Sequence, residues 1–228
     1  MRGNDGPYGT PIATLPAQES NHSKFTSPLV DVLEVAMEPA YAEEYKGFKI
    51  KIFYDEDPPN PRTEWEHQGT ISYWHRRRIV GDDKDGTRLL RPLDDEASDP
   101  PTREDMERSG LVFLPVYMYD HSGVTINTTG FSCPWDSGQL GWVWAKFNPD
   151  EYNSRESLEH AIQAEIEEYD HYLRGNVYGY EVEDEDGNLL ESCWGFFGDY
   201  DGHVLEEARE QCDWHDKQRP IKCIGEGI

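Results

Sequence analysis

Between residues 111 and 198, short apolar runs alternate with turns rich in Gly, Asn and Asp, and this punctuation constrains the fold more than any other feature. LVFLPVYMY (Leu111 to Tyr119), VTINT, LGWVWAKF, VYGYEVED and NLLESCWGFFG each have the length of a strand. DHSG, TTGF and EDEDGN stand where turns belong, and Gly187 and Asn188 tolerate the positive φ that tight turns require. Runs this close together pair antiparallel, because parallel neighbours need a crossover of about a dozen residues or more. The pattern predicts a meander and hairpins.

Upstream, Phe48, Ile50, Ile52 and Tyr54 alternate with Lys49, Lys51 and Phe53, the period of a half-buried strand, which stops at DPPNP. GTISYWH predicts another strand, running from Gly69 to His75. Three segments read as helices. Leu158, Ile162, Ile166, Tyr169 and Leu173 fall on one helical face, with a capping box at Asn153 and Glu156 and a C-cap at Gly175. A last helix is predicted from about His203 to Trp214, and TREDMERS adds one short helix. Gly81 to Pro101, full of acids, Gly and Pro, reads as a long surface loop. The expectation is an α+β fold, a mainly antiparallel sheet of about six or seven strands with two packed helices. Residues 1–44 read as a flexible leader and 45–228 as a single domain.

Hydrophobic residues make up 36% and aromatics 12% of the 228 residues, enough apolar surface for a core without disulfides or metals. Cys133, Cys193, Cys212 and Cys223 have neither zinc-ribbon nor CxxC spacing, so free thiols are expected. No apolar run approaches the roughly 18 residues of a membrane span, and the N-terminus has no secretory h-region, so a cytoplasmic chain is expected. Asp and Glu number 46 against 21 Lys and Arg, a formal charge of −25. Such a field repels nucleic-acid phosphates and anionic membranes. The excess then serves either solvation in concentrated salt or an acidic, DNA-mimicking face that meets a basic protein.

Three stretches together carry a resemblance: KIKIFYDEDPPNPR with HQGTISYWHRR; LPVYMYDHSGVTINTTGFSCPWDSGQLGWVWA; and EYDHYLRGNVYGYEVED ending in ESCWGFFGD. Over about residues 45–200 the chain resembles a family of uncharacterised proteins encoded by phages, prophages and other mobile elements. The resemblance implies a genomic setting, an accessory gene of a virus or mobile element. It implies no catalytic residues.

Three groups could carry chemistry. DHSGVTINTTGFSCPWDSGQ gathers Asp120, His121, Cys133 and Asp136, where a thiol beside an imidazole would make a nucleophile and base. Against this, the strand after His121 carries the chain about 17 Å away, and the same Gly, Pro and Asp residues explain two turns. Asp55, Asp57, His67 and His75 are candidate metal ligands, but paired acids arise by chance in so acidic a chain, and EDEDGN lacks the later ligands of a calcium loop. Arg76, Arg77 and Arg78 form a basic island; with Trp135 and Gln139 they make a candidate binding set, and internal pairing with the surplus acids is the plainer account. If Arg76 to Arg78 continue the preceding strand, Arg77 points away from its two neighbours. No P-loop, GxGxxG, HExxH or GxSxG occurs, and no cofactor is expected. The sequence therefore favours a non-enzymatic protein that binds a protein partner, with a Cys/His hydrolase or metal-dependent enzyme as the alternative.

Overall fold

The computed structural model describes residues 37–219 except 91–92 and 94–96. Among the described residues, nine strands in two sheets and four helices make an α+β fold, as the sequence pattern predicts. The strands do not form one sheet. One sheet has β1 (Tyr41–Tyr45), β2 (Phe48–Tyr54), β8 (Val177–Glu183) and β9 (Leu189–Phe197) in the order β1-β2-β8-β9, all antiparallel. The other has β3 (Thr70–Tyr73), β4 (Asp83–Lys84), β5 (Val112–Asp120), β6 (Val124–Asn127) and β7 (Ser137–Ala145) in the order β4-β3-β7-β5-β6. Within it only the β3–β4 pairing is parallel. The chain leaves the first sheet after β2, builds the whole second sheet, and returns as β8 to lie beside β2.

Residues 41–44, which the composition assigns to a leader, instead form most of β1, and the rest of that leader up to residue 36 lies outside the described residues. Tyr41, Glu43 and Tyr45 are half-buried while Ala42 and Glu44 are exposed, a strand alternation hidden among acids. Lys46 and Gly47, with φ of 51° and 77°, make the two-residue left-handed turn that matches the twist of a hairpin.

Helix α4 (Leu205–Gln218) covers one face of the first sheet, burying Leu205, Ala208 and Cys212 on Ile50, Ile52, Tyr180 and Val182. Helix α3 (Arg155–Arg174) does the same for the second sheet with Leu158, Ile162, Ile166 and Tyr169. Its N-cap is Ser154, whose side chain accepts from the Ser157 N–H, one residue after the predicted Asn153. Gly175, at φ 72°, ends it as predicted.

The far face of the second sheet is where the surface-loop expectation fails. Leu89, Leu93 and Met106 are buried there with Leu111 around Trp142. The segment after β4, with the short helix α2 (Arg103–Arg108), is thus the second cover of a sheet buried on both sides. Among the described residues no helix is long and apolar enough to cross a membrane.

Candidate functional site

Antiparallel pairing of β5 with β7 undoes the separation that the sequence suggests between DHSG and CPWDSGQ. Tyr119 lies opposite Ser137, and the Asp120 N–H donates to the Asp136 carbonyl at 2.9 Å. His121 Nδ1 consequently stands 3.4 Å from Asp136 Oδ2, an exposed pair at the end of the sheet. Ser122, at φ 60°, turns the chain between β5 and β6.

The basic island meets the same place by another route. Strand β3 ends at Tyr73, so Arg76, Arg77 and Arg78 lie in the bend that follows, and the strand alternation expected for them does not apply. Arg78 donates from Nε at 2.9 Å and Nη2 at 2.8 Å to the two carboxylate oxygens of Asp120, a fork matched to a carboxylate. Those hydrogen bonds from Arg78 hold the Asp120 carboxyl below the usual carboxylate range, with smaller help from the charges of His75 and Arg77. His75 Nδ1 accepts from the Arg78 N–H at 3.0 Å, which fixes the bend and leaves Nε2 as the protonated ring nitrogen when the ring is neutral.

One open cleft of about 360 Å³ results, lined by His75, Asp120, Trp135, Asp136 and Gln139 above Met118 and Leu140. The cleft joins the basic island, through His75 and the Arg78–Asp120 pair, to Trp135 and Gln139, with which the sequence grouped it, and to Asp120 and Asp136 of the second candidate group. Trp135 stands on its rim with 90% of its surface exposed, and Ile79, beside Arg78, is 83% exposed. Among the described arginines, Arg76 and Arg77 alone have neither an ion pair nor a hydrogen bond.

Among the described residues no hydrogen bond joins the Cys133 thiol to an imidazole; the group of Cys133 that does bond is its carbonyl, which accepts from the Ser137 hydroxyl. Asp120 is occupied by Arg78 and orients no histidine. Gln139 donates to the Gly141 carbonyl at 3.2 Å, a strand-end role.

The candidate metal ligands are dispersed. Asp55 accepts from the Asp57 N–H in a turn after β2, in the first sheet; His67 lies 3.8 Å from Asp82; and His75 lies in the cleft. Among the described residues no three His, Cys, Asp or Glu side chains gather as a metal would require.

A buried charge network escaped the sequence entirely. Arg62, on α1 (Pro61–Glu64), is 7% exposed; its Nε donates to Asp82 Oδ1 at 3.1 Å, its Nη1 to Glu165 at 3.3 Å and its Nη2 to the Gly69 carbonyl at 2.6 Å. Asp82 also accepts from the Ile71 N–H and Glu165 from the N–H groups of Gln68 and Gly69. Every polar group in it is engaged, so it reads as a clamp between α1, α3 and β3. Its partners lie 20 and 103 residues from Arg62, a separation that leaves no local motif.

Compared with family models, with curated proteins and with solved structures, the chain matches none.

Proposed function

We propose that this chain is a non-enzymatic accessory protein of a virus or mobile element, acting in the host cytoplasm by binding a protein partner through the face centred on Trp135. The genomic setting rests on the resemblance of its strand motifs. The binding role rests on one observation: an indole left 90% in water on the rim of a cleft that His75 also lines, next in sequence to Arg76 and Arg77, which make no ion pair or hydrogen bond, in a chain where acids outnumber bases by 46 to 21. In such a chain counter-charges are plentiful, yet Arg76 and Arg77 stand exposed in the bend without a hydrogen bond or ion pair, Arg77 acting on Asp120 only through its charge. Trp and Arg are also the side chains that anchor protein interfaces, since each offers large area and directional contacts. Affinity capture from the host with the wild-type chain, Trp135→Ala and the Arg76→Ser, Arg77→Ser double variant tests this. A partner retained by the wild type and lost by both variants is the expected result; identical capture by all three would remove the proposal.

A second face favours the charge-mimic reading. Glu44, Glu183, Asp184, Glu185 and Asp186 line an open cleft of about 470 Å³ between the two hairpin turns of the first sheet, with Lys49 as the basic residue among them. A basic nucleic-acid-binding protein seated there would be released steeply by salt and by Glu44→Gln with Asp186→Asn, while Trp135→Ala would leave it bound.

A further inference from the structure

Each of the two sheets ends in two edge strands, and three of the four edges are guarded. Strand β4 has two residues. Strand β6 has four, and the outward N–H of Ile126 donates to Asp170 of α3 at 2.7 Å. Strand β1 has five and carries Glu43 and Glu44. Short length, a covering side chain and charge are the usual ways of keeping an edge from pairing with another chain.

Strand β9 has none of these three, and the device it does carry is a pair of register shifts against β8, at Leu190 and near Gly195. It runs nine residues as LLESCWGFF, with one charged side chain, no lysine and no proline. Its partner is β8, and among the described residues no side chain, turn or loop bonds the backbone of its outer edge. Its first six residues include exposed Leu189, Ser192, Cys193 and Trp194, with Leu189 57% and Trp194 42% exposed.

The side chains are arranged to match themselves. The register skips Leu190, so Leu189 falls opposite Glu183 while Ser192 falls opposite Glu181, which puts Leu189 and Ser192 on the face away from α4. Trp194 shares that face: it lies over Gly179, where an added Cβ would come within 2.2 Å of the indole, and stacks on Phe53 at 6.0 Å. The indole is fixed from beneath and open above.

We infer that β9 is a homodimer interface, two copies pairing antiparallel along Leu189 to Trp194 with Ser192 on the two-fold axis. A two-fold contact must be self-complementary, and this segment is. Trp194 of each copy lands on the Leu189–Leu190 step of the other, Glu191 faces Cys193 rather than its own copy, and the small Ser192 meets itself. Backbone N–H and C=O groups supply affinity, as in strand addition generally, and continue the four-stranded sheet into one of eight. A foreign extended segment could use the same backbone groups, but nothing in it would require apolar side chains at both ends and a small residue at the centre.

The charge of −25 per chain opposes the pairing, so association tightens as salt shortens the Debye length from about 10 Å at 0.1 M to about 3 Å at 1 M. Sedimentation velocity of the full chain, in reducing buffer and across the micromolar range at both salts, tests the inference with wild type, Ser192→Lys and Leu189→Glu. The wild type is expected to dimerise reversibly and more tightly in high salt. Ser192→Lys sets two ammonium groups on the axis and should weaken the dimer at least about tenfold, a difference of about 1.4 kcal/mol. Both substitutions fall on exposed sites, and circular dichroism reports whether each variant is folded. A wild type monomeric at both salts, or a dimer indifferent to both variants, would overturn it. Capture through Trp135 is read separately, so either proposal can fail alone.

Discussion

Arg62 is the residue on which the junction of α1, α3 and β3 depends. Its guanidinium satisfies two carboxylates and a carbonyl in a place where water has little access, and those carboxylates in turn hold three backbone N–H groups. Removing one member of such a buried set leaves the rest charged and unpaired, which costs about 3–5 kcal/mol. Arg62→Ala should therefore lower the thermal midpoint more than any exposed arginine substitution, and denaturant unfolding of the two chains measures the difference. Glu168 stands nearby with the opposite sign. Burial, and then the charge of Glu165, push its carboxyl above the usual range. A carboxyl raised on folding stabilises fully below its unfolded value and loses that contribution as pH rises through its folded value. At neutral pH Glu168 is thus a penalty, and Glu168→Gln should raise the midpoint at pH 7 and leave it unchanged near pH 4. A gain of the same size at both pH values would mean that charge is not the cause.

At the scale of elements, β7 is the central strand of the second sheet, lying between β3 and β5. Gly141 is where β3 comes closest to it: a Cβ there would sit 2.0 Å from the Ser72 carbonyl oxygen and 2.8 Å from the Tyr73 Cα. Both obstacles are backbone, so neither can swing aside. Gly141→Ala is expected to destabilise by about 3 kcal/mol or more, or to abolish folding, as judged by chemical denaturation. What was legible in the sequence follows the same division between local and distant. The period of Leu158, Ile162, Ile166 and Tyr169, the Gly175 cap and the hairpin around Gly187 depend on neighbours in the chain, and all were readable. The division into two sheets depends on β2 finding β8 about 130 residues later, which no local pattern encodes. The candidate site divides likewise: its residues were named, but that Arg78 closes on Asp120 across 42 residues, with Arg76 and Arg77 left without a hydrogen bond or ion pair, required the β3–β7–β5 pairing. Ile79 carried only a faint signal, an isolated apolar residue after three arginines.

Across the whole molecule the acids decide how stability responds to salt. Most of the described arginines are already engaged: Arg62, Arg78, Arg88, Arg103, Arg108, Arg174, Arg209 and Arg219 each pair with a carboxylate. Most of the described arginines are thus paired, and the surplus acids repel one another across the surface. Two effects of salt compete. Screening weakens the exposed pairs, each worth a small fraction of total stability, and it also relieves the mutual repulsion of an excess of 25 negative charges. The second should win, because it sums over the whole excess of acids while the Debye length shrinks from about 10 Å at 0.1 M to about 3 Å at 1 M. The thermal midpoint should accordingly rise with sodium chloride, at a chain concentration low enough to keep the protein monomeric. A single neutralised acid provides the control. Asp186 is exposed among Glu44, Glu183, Asp184 and Glu185 and its side chain makes no hydrogen bond or ion pair, so Asp186→Asn should raise the midpoint in dilute buffer and lose that gain in high salt. If the midpoint instead falls with salt while Asp186→Asn changes nothing, the acids are already compensated in the fold, and their excess would have to serve a partner alone.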